Sequence, residues 1–195
     1  NRDVGRLPAY HVGLEIDARG ARQLVIRLPG APADRLQKLP YSAVDRISFA
    51  SDRVLFLSTV EPKKAEQRPV IGQPTPYRRD LSASGGPITL AGRVYRRGLG
   101  VHSFCALEYT LGGEYRAFAA VIGLDDSSRG KGSVTFRVIA DGKEIYKQAF
   151  EAGAKPRSVS LPLEEVNVLR LEVDHGSDNL DIGDLADWAD ARVTR

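Results

Sequence analysis

The chain has 195 residues, 42% of them hydrophobic and 27% charged, with 19 glycines, 11 prolines and a net charge of +3. This composition excludes a disordered or fibrous chain, and the length admits one or two domains with a sizeable core. No apolar run approaches the roughly 20 residues that a membrane-spanning helix needs, so no span is expected in this stretch. The sequence holds no Met and opens on Asn1-Arg2-Asp3, which reads as a mature or cut fragment in which an export signal would not be visible. Its single cysteine, Cys105, excludes an internal disulfide. It sits in an apolar strand and reads as a buried, inert thiol rather than a nucleophile. Residues 1–100 carry 17 Lys and Arg against 9 Asp and Glu, whereas residues 101–195 carry 11 against 16. The basic residues are scattered rather than interleaved with aromatics, so a solvated or partner-facing surface is expected and nucleic acid is not.

In chain order, residues 11–16, 24–28 and 44–49 read as strands, the second stopping at Pro29-Gly30. They are too few for a full core, so residues 1–50 are expected to form a small N-terminal β segment of unknown role. A second region, 52–195, opens with a strand at 53–57. Residues 61–76 contain Pro62, Pro69, Pro74 and Pro76 and read as an extended surface connection. Short strands then follow at 88–90 and 93–95 around Ala91-Gly92. In 104–111, Cys105, Leu107 and Tyr109 share one face. Residues 117–124 are nearly all apolar, as in a strand buried on both faces. Asp141-Gly142 between two alternating runs is the strongest hairpin signal in the chain, because both turn positions need positive φ. Residues 159–163 and 166–173 complete the set. Many short strands with no long helix and no βαβ alternation predict an all-β fold, an antiparallel two-sheet β-sandwich of jelly-roll type.

Chemistry is most concentrated near the C-terminal end. Asp178, Asp181, Asp184, Asp187 and Asp190 recur every third residue. Calcium takes six to eight oxygen ligands, so part of this run could serve it, though the spacing is not that of an EF-hand. The other reading is solvated turn residues and backbone-capping carboxylates. The loop that opens on Asp125-Asp126 is either a turn with local Asp-to-backbone bonds or a ligand-facing, metal-lining loop. His102, after Gly98-Leu99-Gly100, is a structural histidine or a partner for a sugar hydroxyl. No nucleophile elbow or zinc motif supports a catalytic histidine. Trp188, the one tryptophan, is a core anchor or a platform on which a sugar ring could stack.

Several ordered segments resemble the NPCBM domain, a carbohydrate-binding module found beside family 98 glycoside hydrolases and also classed as family 51 carbohydrate-binding modules. They are Val54-Leu55-Phe56-Leu57-Ser58, the stretch 90–103, Leu107-x-Tyr109-x-Leu111, Val121-Ile122-Gly123-Leu124-Asp125, Asp141-Gly142-Lys143, Leu169-x-Leu171-x-Val173 and the closing 184–191. The resemblance covers about residues 52–195. It implies a galactose-binding-like sandwich and a bacterial, exported, non-catalytic module for a glycan, often galactose-containing, commonly with a structural calcium. Two positions depart from the family pattern. Thr59 stands where the family tends to carry Asp, and Leu185 where it often has His; either change could remove a sugar or metal contact. On this reading His102, Asp125 and Trp188 are the expected carbohydrate contacts, and Asp184 and Asp187 the expected calcium ligands. The expected partners are a glycan and the other domains of a larger parent protein, located outside the cell or in the periplasm and envelope. The rival readings are a protein–protein or envelope-assembly module on the same scaffold, its basic first half the interface, and a hydrolase. The last would need two carboxylates roughly 5–9 Å apart in one cleft.

Overall fold

The computed structural model describes residues 11–27, 32, 35–43, 53–70 and 72–195. The chain divides into two compact units, residues 1–50 and 51–195. In the first, β1 (His11–Ile16), β2 (Arg22–Arg27) and β3 (Gln37–Pro40) make one antiparallel sheet in that order. Leu24, Val25 and Ile26 of β2 are buried. The strand expected over 44–49 lies outside the described residues.

The second unit is built from β4 (Val54–Phe56), β5 (Lys64–Gln67), β6 (Arg78–Arg79), β7 (Ile88–Leu90), β8 (Arg93–Tyr95), β9 (Gly98–His102), β10 (Cys105–Thr110), β11 (Ala117–Leu124), β12 (Ser133–Ala140), β13 (Lys143–Glu151), β14 (Arg157–Pro162), β15 (Val168–His175) and β16 (Leu185–Thr194). One sheet runs β13-β12-β15-β10-β5. The other runs β14-β11-β16-β9-β6, with β4 also paired to β16. All these pairings are antiparallel. This is the antiparallel two-sheet sandwich that the alternation of the sequence predicts.

Alternation also places the core. Leu107 and Tyr109 of β10, Val134, Phe136 and Val138 of β12, and Leu169, Leu171 and Val173 of β15 are buried against Phe118 and Ile122 of β11 and Trp188 of β16. Trp188 meets Phe136 and Phe118 edge-on, with ring centroids 4.9 and 6.1 Å away. These are the offset geometries aromatic quadrupoles favour. The β12–β13 turn has Asp141 at φ 46° and Gly142 at φ 82°, as a two-residue hairpin requires.

Two expectations need correction. The connection over 61–76 is not wholly irregular: the proline-free residues Lys64–Gln67 keep their N–H groups and pair with β10 as an edge strand. The strand expected over 53–57 ends at Phe56, where Leu57–Thr59 winds into a 3-10 turn. The closing aspartates fall on different elements. Asp187 and Asp190 belong to β16, held between β11 and β9.

Candidate functional site

In the five-stranded sheet Phe136, Leu171 and Val173 point into the core, so Arg137, Glu172 and Asp174 must point out. Register then brings them together, since Arg137 pairs with Glu172 across β12 and β15. Arg137 Nη1 donates to Glu172 Oε1 at 3.0 Å and to Asp174 Oδ2 at 2.8 Å. Arg170 donates through Nε and Nη2 to Glu172 Oε2, at 3.1 and 3.0 Å. Burial works against the charge of Arg137, but the two carboxylates outweigh it and hold its pKa above the ordinary value. Beside this network Arg68, just past β5, lies over the ring of Phe104 with its guanidinium carbon 4.2 Å from the centroid. Arg68, Pro69, Phe104, Arg137, Glu172, Asp174 and His175 line one cleft of about 440 Å³. That volume suits a small polar ligand. Its walls offer guanidinium donors, carboxylate acceptors, an imidazole and an aromatic edge.

Behind the cleft lies a buried polar chain. Ser103, in the β9–β10 turn, donates its hydroxyl to Asp184 Oδ2 at 2.5 Å, and its oxygen lies 3.1 Å from His175 Nδ1. Asp184 is 0% exposed, and its Oδ1 accepts the N–H of Ser133 at 2.8 Å. Burial raises its pKa, and these two hydrogen bonds oppose the rise. Both oxygens of Asp184 thus already accept hydrogen bonds from the protein. His102 Nδ1 lies 2.9 Å from the carbonyl oxygen of Ser103, a local bond that ties its ring to the turn, and it does not line the cleft.

Asp125 and Asp187 meet on the outer side of the second sheet. Asp125 accepts from Thr89 N and Ser127 N, each at 2.9 Å, and from Ser127 Oγ. It thus caps the 3-10 turn Asp126–Ser128 and pins β7 to the sheet. Asp126 clamps the β7–β8 turn, accepting from Ala91 N at 2.9 Å and Gly92 N at 2.8 Å. Asp187 is 0% exposed, and neither of its oxygens receives a hydrogen bond. Gly100 and Gly123 stand opposite it on the flanking strands. Burial pushes its pKa well above the carboxylate range, and the carboxyl of Asp125 against it adds to the rise. Asp187 thus lies against Asp125 with no hydrogen bond to either of its oxygens. Trp188, the next residue, is 1% exposed on the inner face. It is a core anchor, and no sugar can stack on it. The structure thus brings Asp125 and Asp187 together but does not gather His102, Asp125 and Trp188 into one site. Among the described residues, no three His, Cys, Asp or Glu side chains are grouped to hold a metal. Of the two expected ligands only Asp187 has oxygens that accept no hydrogen bond, and Asp125 is its neighbour.

A family model, the NPCBM/NEW2 domain, matches residues 53–194. The chain belongs to this family. Among solved structures, the CBM51 from Clostridium perfringens GH95 in complex with methyl-galactose is similar with a TM-score of 0.65 and 27% identity, over 72% of this chain and 99% of that one. The CBM51-2 and INT domains of Clostridium perfringens ZmpB, in complex with GlcNAc, give a TM-score of 0.66 and 23% identity over 90% of this chain and 37% of that one, a likeness of fold. A protein of Renibacterium salmoninarum, provisionally named an endo-alpha-N-acetylgalactosaminidase, is 34% identical over 110 residues, 55% of this chain. The match spans only 7% of that relative's own length.

Of the cleft in this NPCBM/NEW2 domain, sequence reasoning found little. Asp174 and His175 directly precede the aspartate run, but Arg68, Phe104, Arg137 and Glu172 carry no such mark. A signal existed for two of them: Arg137 and Glu172 are charged residues at outward positions of clean alternations, where register could set opposite charges side by side.

Proposed function

We propose that this NPCBM/NEW2 domain is a non-catalytic carbohydrate-binding module that holds a glycan in the cleft of Arg68, Phe104, Arg137, Glu172, Asp174 and His175. The observation that carries the reading is the Arg137–Glu172–Asp174 network, 2.8–3.0 Å between partners, on the wall of an open cleft. Guanidinium and carboxylate groups that fix each other's orientation suit the many hydroxyls of a neutral sugar, each both donor and acceptor. A galactose-containing glycan is the first candidate, because the similar family 51 module was solved with methyl-galactose.

The same contacts speak against hydrolysis. Glu172 and Asp174 are both ion-paired to Arg137, which holds them as fixed hydrogen-bond acceptors rather than as free acid–base groups. The Ser103 hydroxyl hydrogen goes to Asp184, so its oxygen is not activated by His175. The domain's role is then to tether a larger, exported parent protein to its glycan. Calcium belongs, on this proposal, to Asp187 and Asp125, where it would screen two facing carboxylates.

A glycan array on residues 1–195, with calcium and with chelator, tests the reading. Selective binding that Arg68→Ala and Arg137→Ala abolish, with circular dichroism unchanged, is the expected result. Absence of binding in both conditions would reject it and turn attention to a protein partner.

A further inference from the structure

The carboxylates of the cleft are already engaged. Glu172 Oε1 accepts from Arg137, and its Oε2 accepts from Arg170. Asp174 Oδ2 accepts from Arg137 and its Oδ1 from the N–H of His175, at 2.9 Å. A further acceptor is His175, whose Nδ1 faces Ser103 in the interior while the residue lines the cleft. Which of its nitrogens carries the hydrogen follows from Ser103. That hydroxyl has one hydrogen, and it goes to Asp184 at 2.5 Å. Towards His175, the serine oxygen can only accept. The 3.1 Å contact is therefore Nδ1–H donating to Ser103 Oγ, which in the neutral ring leaves Nε2 bare.

The backbone is held as firmly as the ring. Gly176 N donates to Ser133 O at 2.8 Å and Ser177 N to Ser133 Oγ at 3.0 Å. A Cβ at Gly176 would come within 2.3 Å of the Ser133 carbonyl carbon, so the chain packs directly on β12 there. Ser133 N in turn donates to Asp184, the carboxylate that orients Ser103. The turn after His175 and the serine behind its ring thus answer to one buried aspartate.

We infer that His175 is a specificity-determining residue of the glycan site: Asp184 and Ser103 lock it as the Nδ1–H tautomer, and its bare Nε2 selects a ligand that donates a hydroxyl at that point. The inference rests on the cleft being the glycan site. A sugar with two neighbouring hydroxyls fits best, one accepting from the guanidinium of Arg68 or Arg137 and the next donating to His175. A ligand methylated at the donating hydroxyl is refused, because the site then offers an acceptor with nothing to accept.

Two measurements on residues 1–195 test this. Nitrogen shifts of the imidazoles, recorded without sugar at about pH 8 where an ordinary imidazole is neutral, should report the Nδ1–H form for His175 and a tautomer mixture in Ser103→Ala. An Nε2–H form in the unaltered chain overturns the inference whatever binds. The second is a titration with methyl-galactose and, separately, GlcNAc. His175→Asn keeps an amide donor near the Nδ1 position but has nothing at Nε2, and should bind the better probe roughly tenfold more weakly, the worth of one hydrogen bond. His175→Gln restores an amide oxygen near Nε2 and should recover part of the loss. Equal binding by the Asn variant and the unaltered chain overturns the inference and leaves the module reading standing. Failure of the unaltered chain to bind any glycan overturns both.

Discussion

Asp187 places a carboxyl with no hydrogen-bond donor in the interior, against a second carboxyl. Asp187→Asn replaces it with a group of nearly the same shape whose amide can donate to Asp125. A buried polar group without a partner costs about 1–3 kcal/mol, so in chelator at about pH 7 the variant should be more stable than the unaltered chain by about that amount. For a domain of this size the melting temperature should rise by roughly 2–10 °C. The pH dependence gives the sign. Burial, with Asp125 adding to it, raises the folded pKa of Asp187. A raised carboxyl contributes stability in full below its unfolded pKa of about 3.9 and loses it as pH climbs towards the folded pKa. Thermal unfolding from about pH 4 to about pH 8, the span above the unfolded carboxyl pKa, should therefore start with the two proteins alike and end with the variant ahead. Calcium should stabilise the unaltered chain and leave the variant unmoved, because the ion competes with the proton for the same oxygens. A variant less stable than the unaltered chain in chelator, or a difference constant across the pH range, would refute the reasoning.

Trp188→Ala should cost about 3–5 kcal/mol in urea unfolding, since it empties the centre of the core, whereas Trp188→Phe should keep both fold and glycan binding. Loss of binding in a fully folded Trp188→Phe would show that the ring serves the ligand. Burial pushes the Cys105 thiol up to about 12, so a disulfide reagent should label it only after denaturation. Labelling of the native protein would contradict the packing of β10. Ala91 holds φ 49° in the β7–β8 turn. Ala91→Gly should relieve that left-handed conformation and stabilise by about 1 kcal/mol, and a lowered melting temperature would argue against it.

The sandwich was legible because its signals are local. Asp141-Gly142 asks for a hairpin by backbone conformation alone, and the alternation in 169–173 names the core face without knowledge of any partner strand. The cleft was not, because it exists only through register. Arg137 and Glu172 become neighbours by the pairing of β12 with β15, and Arg68 reaches Phe104 only because β5 lies along β10. The sequence marked Trp188, Asp187 and Asp125 as unusual but could not say which way each pointed. β16 turns Trp188 into the core, whereas Asp187, one residue earlier, faces the other side and meets Asp125. The aspartate run suggested shared chemistry by its spacing, yet Asp184 answers to Ser103 and Ser133, and Asp187 to Asp125.

The central claim is that the outer face of the β12–β15 pair holds a glycan. Titrating isotopically labelled chain with methyl-galactose, with GlcNAc and then with the best binder from a glycan array tests it residue by residue. Saturable shifts of backbone and side-chain resonances should converge on Arg68, Phe104, Arg137, Glu172, Asp174 and His175. Saturable shifts centred elsewhere in the sandwich, or none with any glycan, would contradict it.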